Sequence, residues 1–373
     1  MAKTVGRVKS GDFFLIILTL GLVVFGIIMV FSSSYYTAIN EMGDPYYFLK
    51  REAFWATLGL GLLFFTANLN YKIYSVFAPY IMAGSVVLLA LLFTPLGVTR
   101  HNATRWIGVG EITVMPGEVA KIAIIIFIAW YLSSDPARIR SFSRGIAPIM
   151  GLCLICAWLI IKQPNLSTAI TVCGITVGML FIAGLNPLYL AGLFGAGAAG
   201  IWMLVTADHT GYWLKRVTCF MDPFADPMDT GYQVVQSLLA MGSGGLFGLG
   251  LGNGLQKNLY LPEPQNDFIL AIIGEELGYV GCIILFTAYI LLIWRGIHIA
   301  IRAADMFGTL LASGITIMLA LQVLLNIAVV TSSIPPTGIT LPFVSYGGNA
   351  LMLFMGSMGI LFNISRQGVR QRQ

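Results

Sequence analysis

Residues 261–281 read LPEPQNDFILAIIGEELGYVG, which sets four carboxylates, Glu263, Asp267, Glu275 and Glu276, in or beside a run apolar enough for a lipid bilayer. The apolar character continues to about residue 293, and crossing hydrocarbon as a helix takes roughly 20 residues. Pro262 and Pro264 keep the chain ahead of the run extended, and Asn266 and Asp267 stand where a helix N-cap belongs. Capping accounts for Asp267 but not for the two acids beyond it. At about 1.5 Å per residue Glu275 lies roughly 12 Å below Asp267, inside the hydrocarbon, where an ionisable side chain needs a partner or a polar cavity. The stretch therefore reads as a membrane helix with acidic residues at its rim and in its interior.

The rest of the chain agrees. Its 373 residues are 57% hydrophobic and only 10% charged, with a mean hydropathy of +0.85, far from soluble globular domains. Ten spans are expected, at about 13–33, 52–67, 73–93, 119–132, 146–162, 167–184, 187–206, 267–293, 308–332 and 346–364. Nothing has the alternating ten-residue strands of a barrel, so the fold class is all-α: a polytopic integral membrane protein of one domain. The first run lacks a small-residue cleavage site and is expected to be retained as a helix. With the N-terminus inside, twelve of the 21 Lys and Arg fall on cytoplasmic segments and eight on outer ones, with Lys121 inside a span. Both termini, the tails 1–12 and 365–373, are accordingly expected in the cytoplasm. Two outer segments are long, 94–118 and 207–266; the second, between spans 7 and 8, is too rich in aromatic, Gly and apolar residues to be disordered. The working face is expected outside. No internal repeat of the secondary-transporter kind is evident.

Several familiar chemistries are excluded. The Gly-rich run 242–254, GSGGLFGLGLGNG, fits neither dinucleotide-binding nor phosphate-loop patterns, and reads as a close-packed or re-entrant segment or as an amide surface near phosphate. Cys153 and Cys156 form a C-x-x-C inside an apolar run, where packing outweighs redox work. With three His in all and no Ser or Cys paired to one, triads and His-based zinc sites are absent. The net charge of +5 comes without a basic, aromatic-rich patch, so no nucleic-acid partner is expected.

What remains are charges at membrane depth. In RWIGVGEITVMPGEVAKIAIIIF, residues 105–127, Pro116 and Glu118 open a helix whose dipole Glu118 complements. Lys121 lies one turn deeper, within reach of Glu118, and as the one cation inside a span it is expected to contact Glu275 or Glu276. Gln233 and Gln236 lie at i, i+3 beside Tyr232 and Ser237, either on a surface helix or lining a groove. Residues 332–360, SSIPPTGITLPFVSYGGNALMLFMGSMGI, break the apolar rhythm with three prolines and a Gly pair; such a break at membrane depth requires protein or a cavity beside it.

Taken in order, Arg105-Trp106, Pro116 with Glu118 and Lys121, Gln163-Pro164, Arg216 with Asp222-Pro223, GYQVVQSLLAMGSGGLFGLGLG, LPEPQNDFI with GEELG, and PPTGITLPFVSYGG resemble the SEDS family (shape, elongation, division and sporulation) over nearly the whole chain. The Pro-Thr-Gly and Leu-Pro-Phe elements are closer to its FtsW and SpoVE branch than to its RodA branch. Gly117, Asn165 and Asn266 depart from the family's usual Ser, Asp and Thr. The resemblance implies a peptidoglycan glycosyltransferase that polymerises lipid II, the undecaprenyl-pyrophosphate-linked disaccharide pentapeptide, outside the membrane beside a class B penicillin-binding protein.

The residues suit that chemistry. A sugar hydroxyl must lose a proton as it attacks an anomeric carbon, and a rim carboxylate can take it; Asp267 is the candidate base. Charge developing on a lipid pyrophosphate calls for cations, with Lys121, Arg105 and Arg216 as candidates, and Lys257 is counted among the substrate-binding residues. Glu118 and Glu263 would position those cations or a divalent ion, and Ser345 completes the substrate-contacting set. Glu275 and Glu276 are assigned to holding the cavity together. Two other classes compete: a lipid II flippase, which would carry polar residues through the full membrane depth, and a non-enzymatic division scaffold, which leaves the buried charges unexplained.

Overall fold

Each of the ten apolar runs folds as a helix. A computed structural model describes residues 11–100, 103–109, 112–206, 217–218, 220–225 and 231–368. The spanning helices are α1 (Phe13–Met42), α2 (Tyr47–Asn68), α3 (Lys72–Leu91), α4 (Pro116–Ser134), α5 (Ala147–Ile161), α6 (Leu166–Ile182) and α7 (Pro187–Thr206), then α9 (Ile269–Ile301), α10 (Met306–Val330) and α11 (Gly348–Gly368). Between α7 and α9 a shorter helix, α8 (Tyr232–Ser243), lies within the segment expected as a loop. Among the described residues seven helices are, by length and composition, long and apolar enough to cross a membrane. Among the other three, α6 is shorter and α2 opens with Lys50, Arg51 and Glu52. The protein is an all-α polytopic membrane protein.

One element was not expected. Residues 97–114 form a three-stranded antiparallel sheet, β1 (Gly97–Arg100), β2 (Ala103–Val109) and β3 (Ile112–Val114), ordered as in sequence. Gly97 opposes Ile107 across the first pair. A Cβ on Gly97 would stand 2.5 Å from the Leu92 carbonyl oxygen and 2.6 Å from the Thr104 methyl, so glycine is what lets the hairpin fold back onto the end of α3.

The centre of the bundle is α4 and α10, where Ile124, Ile125, Ile128, Leu311, Ala312 and Ile315 are wholly buried. Helix α11 runs along α2 at close range: the Thr66 hydroxyl donates to the Gly356 carbonyl at 2.8 Å, and a Cβ on Gly359 would meet the Leu63 carbonyl at 2.4 Å. Small residues let the two backbones approach, a common way of joining helices in lipid.

Both ends of the described chain meet at one end of the bundle. Asp12 caps α1 by accepting from the Leu15 amide at 3.2 Å, accepts from Arg295 Nε at 2.8 Å, and donates its own amide to Ser365 Oγ at 3.0 Å. At the same end the buried Tyr71 hydroxyl donates to Asp305 at 2.9 Å; burial and that carboxylate push the phenol well above its usual range. The sheet, the α5–α6 turn and the broken segments 261–268 and 331–347 occupy the opposite end.

Helix α9 is interrupted there. Gly278 takes φ 66°, ψ −167°, and the chain beside it pairs like a strand with the Gly-rich run. The amides of Leu249 and Gly250 donate to the carbonyls of Glu275 and Glu276 at 3.0 and 2.9 Å, and those of Tyr279 and Val280 donate back to Gly245 and Leu246 at 2.9 and 3.1 Å. The exchange satisfies backbone groups that the break would otherwise orphan in hydrocarbon. It also explains the glycines: a Cβ on Gly244 or Gly248 would lie 1.9 or 2.2 Å from an α9 carbonyl oxygen.

Candidate active site

The two proline-broken segments, 261–268 and 331–347, converge over the first turn of α9. That helix begins at Ile269 with Phe268 in the cap position and no side-chain capping hydrogen bond. The cap position thus falls one residue past Asp267, which with Asn266 belongs to the turn 264–268 leading into the helix. Asp267 lies half-buried against the PPTGIT segment. Gly338 there has φ +76°, and a Cβ on it would stand 3.1 Å from Asp267 Oδ2. The carboxylate therefore rests on bare backbone that only glycine can offer.

Two buried amides on α10 hold this arrangement. Asn326 Nδ2 donates to the Asp267 carbonyl at 2.9 Å and to the Ile339 carbonyl at 2.6 Å, tying both broken segments to one helix. One turn away on the same face, Gln322 Nε2 donates to the Thr340 carbonyl at 3.3 Å. Its Oε1 accepts from Lys121 Nζ at 2.7 Å, and Lys121 pairs at 2.7 Å with Glu118. Glu118, Lys121 and Gln322 are 8%, 2% and 2% exposed, so the charges are neutralised inside the protein just beneath the segment that cradles Asp267. The Lys121 ammonium also lies 5.6 Å from the centre of the Phe354 ring.

Gln322 and Asn326 escaped the sequence reading because they carry no charge. Their signal was present nonetheless: two amides at i, i+4 in the apolar run LALQVLLNIAVV need buried partners.

The deep acids find other partners than expected. Glu276 pairs with Lys257 at 2.6 Å, and the Ser32 hydroxyl lies 2.8 and 2.7 Å from its two carboxylate oxygens. Glu275 accepts from the amides of Leu255 and Gln256 at 2.7 and 3.2 Å. The expected contact of Lys121 with Glu275 or Glu276 is therefore corrected; Lys121 is paired on α4 and α10. Lys257, 2% exposed, is engaged with Glu276 and Ser32 rather than open to a ligand.

Three further candidates also have internal work. Ser345 is buried, and its hydroxyl accepts from the Leu341 amide at 2.7 Å, closing a turn. Next to it the Tyr346 amide donates to the Gln265 carbonyl at 2.9 Å. Arg105, on β2, donates to the carbonyls of Gln163 and Pro164 and so joins the sheet to the α5–α6 turn. Glu263, exposed, accepts from the Asn266 side chain. Arg216 lies outside the described residues. Among the described residues no three His, Cys, Asp or Glu side chains are grouped to hold a metal.

The chain is similar to known proteins along nearly its whole length. A family model described as cell cycle protein (FtsW, RodA, SpoVE) matches residues 13–370. Stage V sporulation protein E of Bacillus subtilis is 42% identical over 358 residues, 96% of this chain and 97% of that protein. The probable peptidoglycan glycosyltransferase FtsW of Geobacter metallireducens is 38% identical, covering 96% of each. Among solved structures, a chain from a study of how a peptidoglycan synthase complex coordinates polymerization and crosslinking superposes with TM-score 0.80 at 27% identity, over 95% of this chain and 98% of that one. The rod shape determining protein RodA of Thermus thermophilus superposes with TM-score 0.70 at 26% identity, over 95% and 97%. This chain belongs to the FtsW/RodA/SpoVE family of cell cycle proteins.

Proposed function

We propose that the protein is a peptidoglycan glycosyltransferase that polymerises lipid II on the outer face of the cytoplasmic membrane, in division or sporulation. The observation that carries this reading is the setting of Asp267: a half-buried carboxylate at the entry to α9, seated on Gly338 and backed by the Lys121–Glu118 pair through Gln322 and Thr340. The names of the FtsW relatives supply the reaction class. The excess of Lys and Arg on the segments at the Asp12 end supports an extracytoplasmic Asp267 and cytoplasmic termini. A relative in a peptidoglycan synthase complex supports a cross-linking partner, a class B penicillin-binding protein.

In this mechanism Asp267 accepts the proton of a sugar 4-hydroxyl as its oxygen bonds to the anomeric carbon of the second substrate. The bond from that carbon to the lipid pyrophosphate breaks, and the electron pair leaves on the pyrophosphate. General-base assistance contributes typically about 10²- to 10⁴-fold. Asp267→Asn, nearly isosteric and still able to accept hydrogen bonds, is therefore expected to lower lipid II polymerisation by at least about 100-fold while leaving thermal stability unchanged. Polymerisation by purified protein with its partner reads this directly. Full activity in the variant would sink the base assignment, and lipid flipping without polymer by the wild type would favour the transporter.

A further inference from the structure

A cleft of about 370 Å³ opens at the Asp267 end of the bundle, between the end of α3, the sheet and the α5–α6 turn, and no role above uses it. Its lining includes the side chains of Phe93, Thr94, Thr99, Thr104, Lys162 and Gln163. Thr99 and Thr104 hydroxyls lie 2.8 Å apart, so one proton serves the pair and the second, with the spare lone pairs, is left for a ligand. Gly97 lets the Thr104 side chain pack close against the end of α3, which places the hydroxyl pair at the cleft. Arg105 fixes the opposite wall by its bonds to the Gln163 and Pro164 carbonyls.

Lys162 is exposed and has no carboxylate within ion-pair distance among the described residues; its ammonium lies 6.0 Å from the Trp158 ring centre. The Thr94 hydroxyl and the Gln163 amide already donate to the Leu91 and Leu89 carbonyls, so the Thr99–Thr104 hydroxyl pair and the Lys162 ammonium are the groups offered, a lining suited to a polyhydroxylated ligand bearing a single anionic group. An acyl chain would leave these polar groups unpaired, and a pyrophosphate calls for more than one cation. The volume is at the small end of ligand pockets, about the size of a disaccharide.

The cleft also adjoins the candidate base. Four residues past Gln163, the Ser167 hydroxyl donates to the Thr337 carbonyl, and the next residue is Gly338, on which the Asp267 carboxylate rests. The separation is one turn of α6 and one strand of loop.

We propose that this cleft is a saccharide subsite, holding the part of the glycan remote from its lipid anchor and pairing an anionic substituent of that sugar unit with Lys162. The substrate class rests on the glycosyltransferase reading; the cleft itself does not. The test is binding of lipid-free glycan strands, alternating N-acetylglucosamine and N-acetylmuramyl-peptide units, to the full chain in lipid nanodiscs. Lys162→Met and the Thr99→Val/Thr104→Val double variant are each expected to weaken binding about tenfold, the scale of one charge-assisted hydrogen bond. A neutral chitooligosaccharide of the same length is expected to bind more weakly to the wild type and equally to Lys162→Met. No strand binding by the wild type, or equal binding by wild type and both variants, would overturn the subsite. Wild-type polymerisation by Asp267→Asn with Lys162-dependent binding intact would sink the catalytic reading and leave the subsite standing.

Discussion

At the scale of single residues, the acids in LPEPQNDFILAIIGEELGYVG separate by what surrounds them. Glu276 is fully buried with Lys257 and Ser32, so removing one charge leaves the other stranded. Lys257→Met is expected to cost about 3–5 kcal/mol, whereas Lys257→Met with Glu276→Leu recovers most of that loss. Thermal unfolding in detergent across this double-mutant cycle measures it. Gly338→Ala tests the seat of the catalytic candidate. A left-handed alanine costs about 1–2 kcal/mol, and its methyl would push against Asp267 Oδ2, so polymerisation is expected to fall further than stability. Equal small losses in both would argue against a tuned contact. The depth of Glu275 and Glu276 was legible in the sequence from the length of the apolar run. Their partners were not, because Lys257 lies 19 positions earlier in a loop whose return into the bundle no periodicity announces.

At the scale of elements, hydrophobic length located every spanning helix, since a bilayer demands about 20 apolar residues whatever the tertiary contacts. The sheet at 97–114 was missed because a three-residue strand such as β3 has too few positions to establish alternation. The break in α9 was equally silent: GEELG reads as continuous helix until the Gly-rich run is known to lie against it. That contact gives a paired prediction. Gly248→Ala places a methyl 2.2 Å from the Glu276 carbonyl oxygen at φ +78°, and is expected to destabilise by at least about 1–2 kcal/mol. Gly242→Ala, in α8 with nothing within 4 Å of its Cβ, is expected to be neutral or to stabilise by about 0.5 kcal/mol. Comparing their melting temperatures with the wild type checks both; similar shifts would argue against the strand-like pairing.

At the scale of the whole molecule, the chain divides into a working end and an anchoring end. The working end gathers irregular backbone, buried amides and charges on α4 and α10, so that Asp267 is tied to the buried centre of the bundle. Family motifs in the sequence singled out Glu118, Lys121 and Asp267, which lie at that end, but not that Ser345 and Lys257 would be consumed in internal contacts. At the anchoring end, the amide of Asp12 touches the Ser365 hydroxyl, so the first and last helices are neighbours. The order of helices along the gene is then one of several that specify the same bundle. Joining the two ends by a short linker and opening the chain at Gly184, between α6 and α7, is expected to yield a circular permutant that folds and polymerises; a permutant that inserts but has no activity would show that the order of insertion matters as well as the final packing.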